Sequence, residues 1–271
     1  MKLTSILTRV VAATAFLLAS LWAVPAATLY SDSVLADAPV LYWNFDEPAG
    51  VAVQQVSGPE LAVRNENDLA ASDPSLPRVR HADMTGGLPR LGNAAAFYGY
   101  NYLLLAGPSL LPKSTLMGAY IIEFWAQSAS PETGNQYLIN FGDNGGNAPA
   151  VIYNFNAGSV ELYTAAGRTG SDGPSLDDTA WHHWVFVNHA TTPNVVDYYR
   201  DGVLVFSGPD PNPGYASLRL NLRTLLVGAA TPDLADPFYG ALDELAVYDV
   251  GGLSPTELAS HGLYLATNHF A

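Results

Sequence analysis

The sequence predicts an all-β fold, two antiparallel sheets packed as a sandwich, and three features of its 271 residues carry that prediction. Its apolar runs are short and rich in Val, Ile, Tyr, Phe and Trp, which fit a pleated, half-buried surface. Turn residues punctuate those runs. Helical periodicity is almost confined to one segment near the C-terminus.

The expected strands cover 40–45, 94–97, 102–105, 120–127, 137–141, 151–155, 159–164, 181–188, 195–200, 203–206, 225–228 and 240–248. Asp201-Gly202 joins two of them directly, the signal of a two-residue type I′ hairpin. Asn144-Gly145 and Ala157-Gly158 mark further turns, and Asp172-Gly173 sits in a longer loop. Ser254-Pro255-Thr256-Glu257 reads as a capping box with proline at the first helical position. Leu258, His261, Gly262 and Leu265 follow on one stripe, which predicts a short C-terminal helix ending near Leu265. Residues 57–91 differ in character. Pro59, Pro74, Pro77 and Pro89, the pair Gly86-Gly87 and four arginines (Arg64, Arg78, Arg80, Arg90) read as a long surface loop inserted after the first strand.

At the N-terminus, Lys2 and Arg9 precede an apolar run from Val10 to Leu21, and Val24-Pro25-Ala26 supplies small residues for cleavage. This is the layout of a secretory signal peptide over 1–26. The run is shorter than the roughly 20 residues a membrane span needs, so no span is expected after cleavage. One domain, 27–271, remains. The chain has no cysteine and no Asn-X-Ser/Thr acceptor site, which points to a bacterial protein that is secreted or periplasmic. The formal net charge is −14, and the two basic residues of the leader make the remainder more acidic still. Nucleic acid is excluded as a partner for want of a basic footprint, and sulfated glycans and anionic lipid are disfavoured on the same ground. Neutral polysaccharides, proteins and divalent cations remain.

Five segments in order then carry a family resemblance. They are Ser33-Val-Leu-Ala-Asp-Ala-Pro-Val-Leu-Tyr-Trp-Asn-Phe-Asp-Glu-Pro-Ala-Gly50, Tyr120-Ile-Ile-Glu-Phe-Trp-Ala126, Trp181-His-His-Trp-Val-Phe-Val187, Tyr199-Arg-Asp-Gly-Val-Leu-Val205, and Gly240-Ala-Leu-Asp-Glu-Leu-Ala-Val-Tyr248 with Leu253-Ser-Pro-Thr-Glu-Leu258. Together they resemble the laminin G-like, concanavalin A-like lectin/glucanase domains of bacterial secreted proteins. The resemblance implies a two-sheet antiparallel jelly roll and an exported, non-catalytic module that binds carbohydrate or protein. It also implies structural Ca2+ where the first and last strands meet, at the matching positions Asp46, Glu47, Asp243 and Glu244. Both acidic pairs adjoin apolar strand residues, where a charge is costly unless solvated or paired, and hard oxygen donors suit calcium.

No enzyme is expected. Glucanases on this kind of sandwich carry Glu-x-Asp-x-x-Glu on one strand, and here Glu123 is followed by Phe124-Trp125-Ala126 with no second acid in phase. The Gly-x-Ser-x-Gly elbow of serine hydrolases is missing too. A glycoside hydrolase or lyase would need a site assembled from distant residues. His182 and His183 alternate across a strand and cannot chelate one ion, and His189, His261 and His269 show no ligand spacing with them. The loop 143–147 reads as a hairpin turn rather than a cation site. For sugar stacking the candidates are Tyr98, Tyr100 and Tyr102, which share a face if their segment is one strand, joined by Tyr153 and Tyr163 across neighbouring strands. Core filling is the competing role for each of them. The alternative function is a structural or adhesive surface protein that contacts other proteins.

Overall fold

The strand-forming runs pair into two large antiparallel sheets, seen in a computed structural model. It describes residues 26–45, 61–65, 81–82, 94–99, 101–105, 116–129, 135–140, 150–154, 159–164, 167–169, 179–191, 195–209, 220–221, 225–230 and 235–270. The chain opens with helix α1 (Ala26–Ala36) and strand β1 (Leu41–Trp43), then β2 (Leu61–Asn65), β3 (His81–Ala82), β4 (Ala94–Tyr98), β5 (Asn101–Leu105) and β6 (Leu116–Met117). The middle holds β7 (Tyr120–Ser128), β8 (Asn135–Asn140), β9 (Ala150–Asn154), β10 (Ser159–Thr164) and β11 (Gly167–Thr169). β12 (His182–Asn188), β13 (Val195–Arg200), β14 (Val203–Pro209), β15 (Leu220–Asn221), β16 (Leu226–Val227), β17 (Tyr239–Asp249) and helix α2 (Pro255–Asn268) complete it.

The larger sheet runs β14-β13-β12-β7-β17-β4-β3, with β1 also on β17; the smaller runs β11-β10-β9-β8-β16-β5-β2. β6 and β15 form a separate ribbon. Period-two alternation explains why the central strands read as continuous apolar runs. On β7, Ile122 and Phe124 face the core between the sheets, whereas Ile121 and Trp125 join a second core on the outer face. On β12, Trp184 and Phe186 point inward, and Val185 and Val187 outward. Phe124 and Phe186 stack at 5.7 Å between ring centroids.

Both helices cover that outer face. Tyr30 and Val34 of α1 and Leu258, Leu265 and Ala266 of α2 are buried in the second core. At about 1.5–3 kcal/mol for each fully buried large side chain, this packing holds both helices in place. α2 starts as expected: Ser254 accepts from the Glu257 amide, and Glu257 reaches back to the Ser254 amide. It runs past Leu265 to Asn268, with His269 as its C-cap. Gly262 lets it lie close, since a Cβ there would stand 2.4 Å from Val187 Cγ2. At the hairpin, Asp201 and Gly202 both take positive φ (51° and 78°), as the two-residue turn requires.

The structure corrects three expectations. α1 was not anticipated. Residues 57–91 are more than a surface loop, because β2 pairs with β5 and β3 with β4. Residues 98–102 are not one strand: Gly99, at φ 81°, separates β4 of the larger sheet from β5 of the smaller. The leader before Ala26 lies outside the described residues, and no described helix is long and apolar enough to cross a membrane. Replacing Gly262 by valine should push α2 off β12 and lower stability by about 1–3 kcal/mol in urea unfolding.

Candidate functional site

The acidic pair of the last strand sits in a gap. One edge of β17 pairs with β4 through Tyr239–Leu242 and with β1 through Leu245–Val247, leaving Asp243 and Glu244 between. The other edge bulges there, because its register on β7 slips between Asp243 and Ala246. Glu244 has φ 53°, and its amide donates to Asp243 Oδ1 at 2.9 Å. Both side chains are fully buried. The Tyr42 hydroxyl, on β1, donates to Glu244 Oε2 and lies 2.8 Å from Ser31 Oγ of α1. Burial, with the charge of Glu244 beside it, holds that phenol well above its ordinary pKa. Asp46 and Glu47 lie outside the described residues, and those residues contain no cluster of three or more His, Cys, Asp or Glu able to hold a metal ion.

The aromatic candidates do not form one row. Tyr98 is exposed at the end of β4, in register with Tyr239. Tyr102 is buried in the smaller sheet against Leu226 and Ala229, and Tyr100 lies outside the described residues. Tyr153 is in register with Val160 and Tyr163 with Ala150, an odd offset along β9 that assigns the two positions to opposite faces.

Sequence reasoning missed the most elaborate polar arrangement. Glu123 points outward from the middle of β7, beneath both helices, with no exposed surface. Its Oε1 accepts from Tyr30 Oη at 3.2 Å, His183 Nε2 at 2.8 Å and His269 Nδ1 at 2.7 Å. Its Oε2 accepts from Tyr248 Oη at 2.7 Å. Three donors thus share Oε1 and one takes Oε2, an uneven but dense set for a carboxylate with about four lone-pair sites. Trp125 Nε1 donates to Tyr30 Oη at 2.9 Å, and the Phe270 ring stacks on Trp125 at 5.9 Å. Burial alone would raise the Glu123 pKa; the hydrogen bonds and positive charge of the histidines outweigh it and bring it down to about 2.

A second cluster secures the Asp201 hairpin. Asp201 accepts from the His183 amide at 3.0 Å, and its Oδ2 lies 2.6 Å from His182 Nδ1. His182 and His183 therefore work on opposite faces, as strand alternation requires. A charged residue inside the run Tyr120–Ala126 was the available sign that Glu123 needed partners. Nothing local pointed to His269, which is 146 residues away.

Residues 98–259 match the family model described as the concanavalin A-like lectin/glucanases superfamily. No curated protein sequence matches the chain. Among solved structures, domain 4 of AbnA, a GH43 extracellular arabinanase from Geobacillus stearothermophilus, in complex with arabinotriose, aligns at a TM-score of 0.53 and 15% identity, over 82% of this chain and 97% of that one. The botulinum neurotoxin serotype D binding domain aligns at 0.55 and 13%, over 84% and 52%. The serotype D ligand binding domain in complex with N-acetylneuraminic acid aligns at 0.50 and 13%, over 86% and 52%. The chain thus spans about half the length of those toxin domains.

Converting Glu123 to glutamine removes the buried charge that both histidines face and turns an N–H toward one side of the donor set, Tyr248 or the histidines. It should lower stability by about 3–5 kcal/mol, read as a fall in the urea midpoint. The folded-state pKa lies below the ordinary 4.5, so the carboxylate's contribution is complete above 4.5 and is lost as pH falls toward about 2. The wild-type midpoint should decline across that window more steeply than that of E123Q.

Proposed function

We propose, since the chain belongs to the concanavalin A-like lectin/glucanase superfamily, that it is an exported, non-catalytic module binding neutral carbohydrate, with calcium as a structural ion. The observation that carries this reading is the overlap with nearly all of a single domain of an extracellular arabinanase, one seen with arabinotriose. Glu123 supports the non-catalytic part. It is held by four donors and sealed beneath two helices, so it has no path to substrate. The helices also close the outer face of the larger sheet, which directs ligand to the smaller sheet or to the sandwich edges. Tyr98 is the described candidate with an exposed ring.

Asp243 and Glu244 fit calcium in chemistry. Both offer hard oxygens, both are fully buried, and both sit where β1, β4 and β17 meet. Asp46 and Glu47, just beyond the described end of that first strand, would complete the donor set. The ion would neutralise buried carboxylates and pin the terminal strands together.

A second reading, contact with other proteins, draws on the edge of the larger sheet, where Val203 and Leu204 on β14 are 62% and 48% exposed.

Titration calorimetry with neutral oligosaccharides, arabinotriose among them, should give saturable binding that Tyr98→Ala weakens about tenfold. No heat from any neutral glycan, with the protein folded, would transfer the assignment to protein adhesion. Excess calcium over EDTA should raise the melting temperature, by an amount equivalent to about 2.7 kcal/mol at one hundred times Kd. Asp243→Asn should abolish that increment. Identical melting in calcium and EDTA would remove the ion from the proposal.

A further inference from the structure

Four histidines touch carboxylates among the described residues, and their ring nitrogens are used differently. His182 places Nδ1 2.6 Å from Asp201 Oδ2, while its Nε2 faces Arg200 Nη2 at 2.5 Å. Arginine only donates, so a neutral ring satisfies both contacts. His183 donates through Nε2 to Glu123, and its Nδ1 has no hydrogen-bond partner among the described residues. His189 meets Asp197 through Nε2. His269 alone has carboxylate oxygens at both nitrogens: Nδ1 lies 2.7 Å from Glu123 Oε1 and Nε2 lies 3.0 Å from Asp37 Oδ2. A neutral imidazole has one N–H, so one of these contacts would set a nitrogen lone pair against a carboxylate oxygen. Both are hydrogen bonds only in the imidazolium.

The position of this ring gives its proton leverage. His269 is the C-cap of α2, Asp37 directly follows α1, and Glu123 lies at the centre of the larger sheet. One charged ring therefore ties the ends of both helices to one strand. We propose that the His269 proton is a latch: held, it clamps both terminal helices on the larger sheet, and its loss frees them and uncovers the apolar face around Trp125, Val185 and Val187.

The groups facing the ring are set to support this. Glu123 comes from β7 and Asp37 from the end of α1. His183 of β12 shares the same Glu123 oxygen, and Tyr248 of β17 holds the other. Tyr30 of α1 and Tyr264 of α2 lie edge-on at 5.9 and 6.5 Å between ring centroids, and His261 lies further out against Tyr248 and Tyr264. Burial, with the Glu123 charge beside them, pushes the phenols of Tyr30 and Tyr248 well above 10, so they stay protonated. Burial works against a proton on His269, but the hydrogen bond and charge of Glu123, and then Asp37, outweigh it and raise its pKa above the ordinary 6.5. The sign follows from linkage. The clamp is at full strength below 6.5 and weakens as pH rises through the raised folded-state value.

Hydrogen exchange of the full chain between pH 5.5 and 9.5, corrected for the intrinsic pH dependence of exchange, tests the latch. For amides of α1 and α2 the opening constant should stay flat below 6.5, rise by up to tenfold per pH unit above it, and level off at the folded-state pKa. His269→Gln should remove the rise. Asp37→Asn, at a partly exposed position that folding tolerates better, should make the plateau arrive at lower pH. A flat wild-type profile, or a rise that persists in H269Q, overturns the proposal. Should H269Q fail to fold, a D37N profile superimposable on wild type overturns it equally.

Discussion

A carboxylate with no exposed surface, in the middle of a sheet lined by Ile121, Trp125, Val185 and Val187, is tolerable only because four protein donors stand in for water. Removing such an ion from solvent costs several kcal/mol even after relaxation, and no single hydrogen bond returns that much. Glu123 is met by two imidazoles and two phenols, drawn from α1, β12, β17 and the end of α2. Each donor must sit within hydrogen-bond reach at once, so the requirement fixes where both helices lie. The apolar packing of Tyr30, Val34, Leu258 and Leu265 supplies bulk stabilisation but no comparable directionality. The outer face of the larger sheet is therefore a specified interface rather than a greasy cover.

That arrangement divides the molecule by role. The sheet bearing Glu123 is closed on both sides, inward by aromatic packing and outward by helices. Its last strand carries partners on both edges, and the bulge at Asp243 and Glu244 falls in the gap between the start of β4 and the end of β1. Among the described residues, acidic side chains with no exposed surface thus lie at two places, handled by different chemistry. At Glu123 the partners are protein donors. At the bulge, Tyr42 and a backbone amide contribute, and the proposed calcium would supply the remaining charge for two adjacent carboxylates.

Much of the fold could be read from the sequence, because its signals are local. Asp201-Gly202 demanded positive φ at two successive residues and received it. Ser254 through Glu257 encoded a helix start that formed as written. The runs 120–127 and 181–188 became the two central strands almost to the residue. What escaped was set by tertiary context. α1 has no acidic residue in its first turn and owes its helicity to the burial of Tyr30 and Val34. The tyrosine row failed at Gly99, whose positive φ turns the chain from one sheet to the other. The Glu123 network joins residues 60 to 146 positions apart, a range over which sequence pattern carries no signal.

The contact between Asp37 and His269 spans 232 residues. A chain emerging N-terminus first carries α1 and Glu123 long before His269 exists. Until that residue arrives, Glu123 lacks a donor, Trp125 lacks its stacked ring, and α1 has no clamp at its end. Few native contacts close so long a loop, and its entropic cost falls on the final step. Assembly of this outer layer therefore waits on His269, and a chain truncated just before that residue would leave its innermost charge one donor short.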